Sequence, residues 1–465
     1  MPRQPAREAV TNFDEIELGY DKPAAIAEAK RVLARFDLDV SSHRCPFDVD
    51  VPRFVGQIAE GDFDAALATI REAHPFAQVM GRHCHKFCEY PFTGEQYYMY
   101  GTPRDETSTA PFISALERAA ADHGSPSVPE VGEAAPTGKR VAVIGAGSAG
   151  VACAWELRRL GHDVAVYEGE DEPGGLLTTG YPPFRMPRQA VADEHDLAAW
   201  GVEVRRARVD GDLLASLVEE YDAVFLAVGR TNVPIPDDGG AELVGVERSS
   251  EFLRRTWKDG NDLTGQRVVV IGGGFGGVDV VRSAVRLGAA SVEMVYRRGL
   301  DEMLGGGLGP TFADILRDED VGLRLFTEPR RVVGEAGHVS AVELGRTERL
   351  PDRAVRSIAG GEETVPADLV VWAIGERAAV TWISDAVDVA LDASGLVATD
   401  PISRRTSHPK VWAGGDIRGG KGNHGAAQDG LWAARSIDAH LTDRFDSWLE
   451  VATTSARSVT SPIVR

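Results

Sequence analysis

The feature that most constrains this chain is a duplication. The apolar run Val141 to Ile144 leads straight into Gly145, Gly147 and Gly150, and Val268 to Ile271 leads into Gly272, Gly274 and Gly277. A strand entering Gly-x-Gly-x-x-Gly and then a helix lets the backbone turn tightly against a pyrophosphate, whose charge meets the helix N-terminus. Side chains larger than hydrogen would block that approach. Two Rossmann-like dinucleotide-binding domains of α/β class are therefore expected.

The flanks agree. Ser148 to Arg159 has helix-like character, Val164 to Tyr167 reads as the next strand, and Glu168 follows with a carboxylate able to accept both ribose hydroxyls of FAD or NAD. The second unit continues through a helix to about Leu287 and a strand from Ser291 to Tyr296, followed by Arg297 and Arg298. Counted from the strand ends, Arg297 takes the place of Glu168, with the charge reversed. A guanidinium pairs with a ribose 2′-phosphate that a carboxylate would repel, so NADPH is expected over NADH. Val224 to Gly229 and Leu369 to Gly375 each read as a buried strand closing a nucleotide domain at a glycine.

At 465 residues the chain should form two or three domains. Lys and Arg total 50 against 71 Asp and Glu, a net charge of -21, so nucleic acid is not an expected partner. No apolar signal core follows Met1 and no stretch is apolar enough to span a bilayer, so a cytoplasmic protein without a membrane partner is expected. Four cysteines, Cys45, Cys84, Cys88 and Cys153, are too few for a disulfide scaffold. Cys153 falls in the helix after the first fingerprint, where it suits the core, and it has no neighbour for thiol–disulfide chemistry.

Residues 121–138, rich in Ala, Ser, Pro, Gly and Glu, read as a linker. The part before it, with helix-like character from Ala24 to Phe36, reads as a small helical domain that holds the other three cysteines. The tail from about Ser447 shows no strong period and is expected to fray.

From residue 139 to about 442 the chain resembles the glutamate synthase small-subunit family of NADPH-dependent flavoproteins, and also the N-terminal part of dihydropyrimidine dehydrogenase. The residues that carry this are Gly174-Gly175-Leu176-Leu177, Gly180-Tyr181-Pro182, Phe184-Arg185-Met186-Pro187, Tyr296-Arg297-Arg298 with Glu302-Met303, and Gly414-Gly415-Asp416 before a closing helix. The resemblance implies a disulfide-reductase-like pair of domains, FAD at the first fingerprint, Gly175 and Leu176 along the flavin, Gly229 at the closing turn, and Asp416 on the ribityl–phosphate region. A helix from about Gly425 to Ala439 would point its N-terminus at the flavin, favouring the anionic reduced ring. The chain departs from the family at Phe275-Gly276-Gly277-Val278, where Asn-Thr-Ala-Met is usual, and at Gly419 to Gly425, which contains Lys421, Asn423 and His424. His424 could protonate or hydrogen-bond the flavin, but as a loop histidine it reads first as solvated.

In the family the N-terminal domain carries two iron–sulfur clusters. Here Val32, Arg35 and Phe92 stand at cysteine positions of the all-cysteine cluster, while Cys45, Cys84, Cys88 and Glu117 match the ligands of the other. The resemblance thus implies one [4Fe-4S] cluster on those four residues. Zinc on the three cysteines with His43, His83 or His85, or a metal-free domain, are the alternatives.

The expected organisation is a helical iron–sulfur domain over 1–130 with a linker to about 138, a FAD domain over 139–265 and 376–446, an NADPH domain over 266–375, and a tail over 447–465. The expected function is electron transfer from NADPH through FAD and the cluster to a partner protein. A self-contained flavin oxidoreductase acting on a small molecule, or a nucleotide-binding interaction protein, would need no such N-terminal domain. Hydride transfer needs positioning more than acid or base, so no catalytic side chain is nominated.

Overall fold

The computed structural model describes residues 2–93, 110–125, 134–230, 232–258, 260–305, 309–420 and 422–459. The N-terminal helices start where short acids stand. In α1 (Lys22–Arg35) the Asp21 side chain accepts the Ala24 N–H, in α2 (Val51–Glu60) Asp50 accepts that of Arg53, and in α3 (Phe63–Arg71) Asp62 accepts that of Ala65. Helices α4 (Ala77–His83) and α5 (Ile113–His123) cross so closely that a Cβ on Gly81 would lie 2.5 Å from the Arg118 nitrogen. Helix α5 runs to His123, into the expected linker, of which 126–133 lies outside the described residues.

The chain then enters strand β1 (Arg140–Ile144), helix α6 (Ser148–Arg159), β2 (Asp163–Glu168), helix α7 (Arg188–Glu194), β3 (Glu203–Arg206) and β4 (Ala223–Leu226). Strand β5 (Val246–Arg248) and helix α8 (Ser249–Lys258) lead to β6 (Arg267–Ile271), helix α9 (Phe275–Arg286), β7 (Ser291–Tyr296) and β8 (Val321–Leu325). A hairpin follows, β9 (Thr327–Glu335) and β10 (His338–Arg349), then β11 (Val355–Ser357), β12 (Glu363–Pro366) and β13 (Leu369–Trp372). The chain returns through β14 (Val411–Ala413) and ends in α10 (Gly422–Leu441) and α11 (Phe445–Val459).

The strands form two parallel sheets, β14-β4-β1-β2-β3 and β5-β13-β6-β7-β8, while β9 to β12 make an antiparallel sheet. The order β4-β1-β2-β3 repeats as β13-β6-β7-β8, so the duplication seen in the glycines extends to the topology. In each sheet the nucleotide fingerprint follows the central strand, where the crossover direction reverses. The apolar core of the N-terminal helices is continuous with that of α6 and α10, so that module is packed on the first sheet and does not hang from it.

The expectation of a frayed tail is corrected. Residues 445–459 form α11, because Phe445 and Trp448 face α10: Trp448 meets Trp432 at 6.3 Å between ring centroids and Phe445 meets His440 at 6.1 Å. Two aromatics one turn apart anchor a helix even where the rest of its sequence is polar. Residues 460–465 lie outside the description. No helix among the described residues is long and apolar enough to cross a membrane.

Candidate functional site

The first fingerprint forms a cradle. Gly145 has φ of +100° and a Cβ there would lie 2.5 Å from the Ala227 oxygen; a Cβ on Gly150 would overlap the Gly145 oxygen. Gly147 precedes α6 with no side chain capping the helix, so its first N–H groups remain available to a phosphate. Glu168 accepts the N–H of Ala146 (2.6 Å) and of Glu170 (2.8 Å), which orients its carboxylate at the end of β2. Gly174 donates to the Ala146 oxygen at 2.8 Å, and a Cβ on Gly175 would come within 3.0 Å of Gly147, so the Gly-Gly-Leu segment with Leu176 is laid along the fingerprint.

Opposite stands the Gly414-Gly415-Asp416 turn. Gly415 (φ +72°) donates to Asp429 Oδ2 at 2.9 Å, and Arg404 and Arg418 bind the same carboxylate at 2.6 and 2.9 Å. Burial raises the Asp416 carboxyl above its ordinary range, while Arg230, whose Nε donates to the Asp416 carbonyl at 2.8 Å, pulls it back. Asp429 and Arg230 were not singled out in the sequence, since an acid in a helix and an arginine after Gly229 carry no pattern. These glycines, the uncapped helix and the oriented Glu168 fit a flavin dinucleotide.

The second fingerprint repeats the geometry, with one correction. Gly145 donates to the Tyr167 oxygen and Gly272 to the Val295 oxygen, and Ile144 pairs with Tyr167 as Ile271 pairs with Val295. By that register Tyr296, not Arg297, occupies the place of Glu168; counting strand ends by sequence misses by one because β2 extends through Glu168. The Tyr296 ring lies so close to Gly273 that a Cβ there would meet it at 2.7 Å. The carboxylate slot is therefore filled by a ring. Arg297, one residue on, is exposed, whereas Arg298 is half-buried with Glu302 at 3.8 Å. Gly274 and Gly277 keep their expected places, Gly274 before α9 and Gly277 against the Gly272 carbonyl.

The closing helix begins earlier than expected. Helix α10 starts at Gly422, so His424 lies in its first turn and is buried, not solvated in a loop; Lys421 lies outside the described residues. His424 meets His85 at 4.2 Å and Phe87 at 5.1 Å, and burial, with His85 beside it, lowers its pKa to about 3. Asn423 reaches Tyr181 at 3.4 Å.

Cys84 and Cys88 are buried, Cys45 is partly buried, and all four cysteines are free. Burial pushes the Cys45 thiol up to about 12 and raises Cys84 and Cys88, with Glu117 adding to each shift, so Glu117 and the three sulfurs share one environment. Among the described residues Glu117 Oε1 is buried without a hydrogen-bond partner, and His74 Nε2 stands 3.6 Å away. Glu117 is thus near enough to the three thiols to oppose the charge of each. Among the described residues no group of three His, Cys, Asp or Glu side chains could hold a metal ion as they stand. Of the histidines that could join zinc, His43 and His83 are hydrogen-bonded to the Asp39 and Arg185 oxygens. Where the all-cysteine cluster would sit, Val32 is fully buried and Phe92 meets Phe36 at 4.9 Å, while Arg35 is exposed.

Residues 139–434 match the family model for pyridine nucleotide-disulphide oxidoreductases. The chain belongs to that family. It is an oxidoreductase that works with FAD and NADPH, and its N-terminal residues 9–123 match the model for domain II of dihydropyrimidine dehydrogenase with its 4Fe-4S cluster. It is 31% identical to the glutamate synthase [NADPH] small chain of Escherichia coli over 97% of each chain. It is 32% identical to the NADP(+)-dependent formate dehydrogenase subunit beta of Moorella thermoacetica over 88% of this chain, but spans only 62% of that relative. The fold is that of Lactococcus lactis thioredoxin reductase, with a TM-score of 0.51 at 20% identity over 66% of this chain and 99% of that one.

In this family member the N-terminal module is held to the flavin sheet by a buried acid. Glu194, at the end of α7, accepts the N–H of Gln78 (2.5 Å) and of Val79 (2.9 Å), closing the start of α4, which has no cap of its own. Burial raises its pKa to about 8 against the pull of those two donors and of Arg71 and Arg82. Between the ordinary value of 4.5 and 8 the folded chain therefore holds a proton that the unfolded chain has released, so stability falls as pH rises through that window. The slope from this group is up to about 1.4 kcal/mol per pH unit. Glu194→Gln should flatten the fall in thermal midpoint between pH 5 and pH 8 while lowering stability at pH 5 by about 1–3 kcal/mol, because the amide cannot accept both N–H groups. Parallel profiles for variant and parent would contradict the assignment.

Proposed function

We propose that this chain is an electron-transfer subunit. It takes a hydride from NADPH onto FAD and passes electrons one at a time, through a single [4Fe-4S] cluster on Cys45, Cys84, Cys88 and Glu117, to a partner protein. In this reading 1–130 is the cluster module, 139–229 with 376–446 the FAD domain, and 230–375 the NADPH domain, because β5 (Val246–Arg248) pairs in the second sheet and the expected boundary at 265 falls too late.

The observation that carries the reading is where the cysteine loops rest. The loop of Cys84 and Cys88 packs on the first turn of α10 through His85 and Phe87, and Gln428 of that helix donates to the Pro46 oxygen at 2.9 Å, next to Cys45. The proposed ligands thus lie against α10, the helix whose N-terminus would meet the flavin. A flavin turns a two-electron donation into single-electron steps, and a cluster accepts them singly. The chain's own groups do the rest: Glu168 and the uncapped α6 hold the dinucleotide, Asp416 orients its ribityl region, and Arg297 selects the phosphorylated nicotinamide cofactor. The names of the relatives, a small chain and a subunit beta, support a protein that works with a partner. The apolar contact of Val32, Phe36 and Phe92 supports one cluster in place of two.

The test is iron and acid-labile sulfide in anaerobically purified protein and in Cys84→Ser. About four irons with broad absorbance beside the flavin bands are expected, both lost in the variant while FAD stays. Zinc, or no metal, would move the function to a self-contained flavin oxidoreductase acting on a small molecule.

A further inference from the structure

Helix α9 presents Asp279, Arg282 and Arg286 on one face, three and four residues apart. Into that face the FAD domain inserts two consecutive residues. Phe184, 1% exposed, lies beneath the guanidinium groups of Arg282 (5.0 Å) and Arg286 (4.3 Å), and Arg185 forms a buried ion pair with Asp279. The socket is braced from behind, since Glu319 binds Arg282 at 2.6 Å and Arg286 at 3.0 Å. The plug is braced too: Ile16 donates to the Phe184 oxygen at 3.0 Å, and Phe13 lies 6.2 Å from the Phe184 ring and 5.1 Å from Trp257 in α8. Arg185 also stacks on Tyr181 at 4.6 Å, and His83 of the N-terminal module meets the Arg185 oxygen at 3.0 Å.

The rest of the joint between the two nucleotide domains is slight. The chain crosses between them twice, near Gly229 and Gly375, where Asn232 and Arg377 form a lone bridge, and α8 adds ion pairs from Arg254 and Lys258 to Glu170 and Asp171 at the surface. Exposed pairs contribute little, whereas a buried charge left without its partner is strongly destabilising. Two thin crossovers would act as hinges if nothing else fixed the angle between the domains.

We infer that Phe184 and Arg185 are positioning residues that plug into α9 and hold the NADPH domain at the angle from which hydride reaches the flavin. The inference rests on both dinucleotides being bound as described above. No group of the plug exchanges a proton or an electron; its effect is on the geometry of the approach, in which reacting atoms must come to about 3–3.5 Å.

The test compares Asp279→Asn and Arg185→Lys with the parent by anaerobic stopped-flow reduction of the flavin with NADPH, and by tryptic cleavage at the Arg377 crossover. Asp279→Asn should slow flavin reduction at saturating NADPH by tenfold or more, leave the dissociation constant for NADPH within about threefold, and speed cleavage at Arg377 about tenfold. Arg185→Lys, which keeps the charge, should recover most of the rate. Should Asp279→Asn fold poorly, the double variant Arg185→Ala with Asp279→Ala leaves no buried charge unpaired but removes the latch, and should stay slow and protease-sensitive. Unchanged rate and unchanged cleavage, or a faster rate, would overturn the lock. If the parent itself is not reduced by NADPH, the cofactor reading fails, and cleavage at Arg377 alone then decides whether the domains are locked.

Discussion

Gly150→Ala should yield a chain that purifies without flavin. A Cβ at this position would overlap the Gly145 oxygen and lie 3.0 Å from its carbonyl carbon, at the turn that must pass beneath the pyrophosphate. Helix α6 cannot retreat to make room. Its other side is crossed by α10 at Gly430, where a Cβ would already meet the Cys153 nitrogen at 2.9 Å, and Trp155 and Cys153 are fully buried behind it. Overpacking in a tight core costs about 1–3 kcal/mol, and more where the neighbour is backbone. The turn opens in consequence, and the N–H groups that should converge on phosphate diverge. Flavin per chain, read from the visible spectrum beside circular dichroism, checks this. Full occupancy by FAD in a folded variant would contradict the cradle described above.

Arg297→Ala should lower kcat/KM for NADPH roughly tenfold to a hundredfold while changing that for NADH less than about threefold. Arg297 is exposed at the end of β7, whereas Arg298 is half-buried near Glu302 and less able to turn toward a ligand. A charge-assisted pair with a phosphate is worth about 1.5–3 kcal/mol, which is that range of rate. Tyr296 matters to the argument because it fills the slot that Glu168 holds in the first domain, so no carboxylate repels the 2′-phosphate there. Equal losses with both cofactors, or a parent that prefers NADH, would remove Arg297 from the site.

What could be read without coordinates is what local sequence dictates. Both fingerprints and their flanking strands and helices follow from glycine spacing and apolar runs, because backbone clearance is a property of each segment alone. The boundaries that failed were those set by contact. Helix α11 forms because Phe445 and Trp448 find α10, and His424 is buried because α10 starts three residues before the expected place and meets His85. The one-residue error at Arg297 has a similar cause, since strand ends are defined by pairing partners. Asp429 under the Gly-Gly-Asp turn, Glu194 on the start of α4 and the Arg185–Asp279 pair join residues 14, 116 and 94 positions apart, so no local pattern announces them. The sequence by itself determined the two Rossmann-like folds and the glycine turns at their central strands. Only the tertiary structure decided how the three modules are clamped together, because buried charges find their partners across the fold.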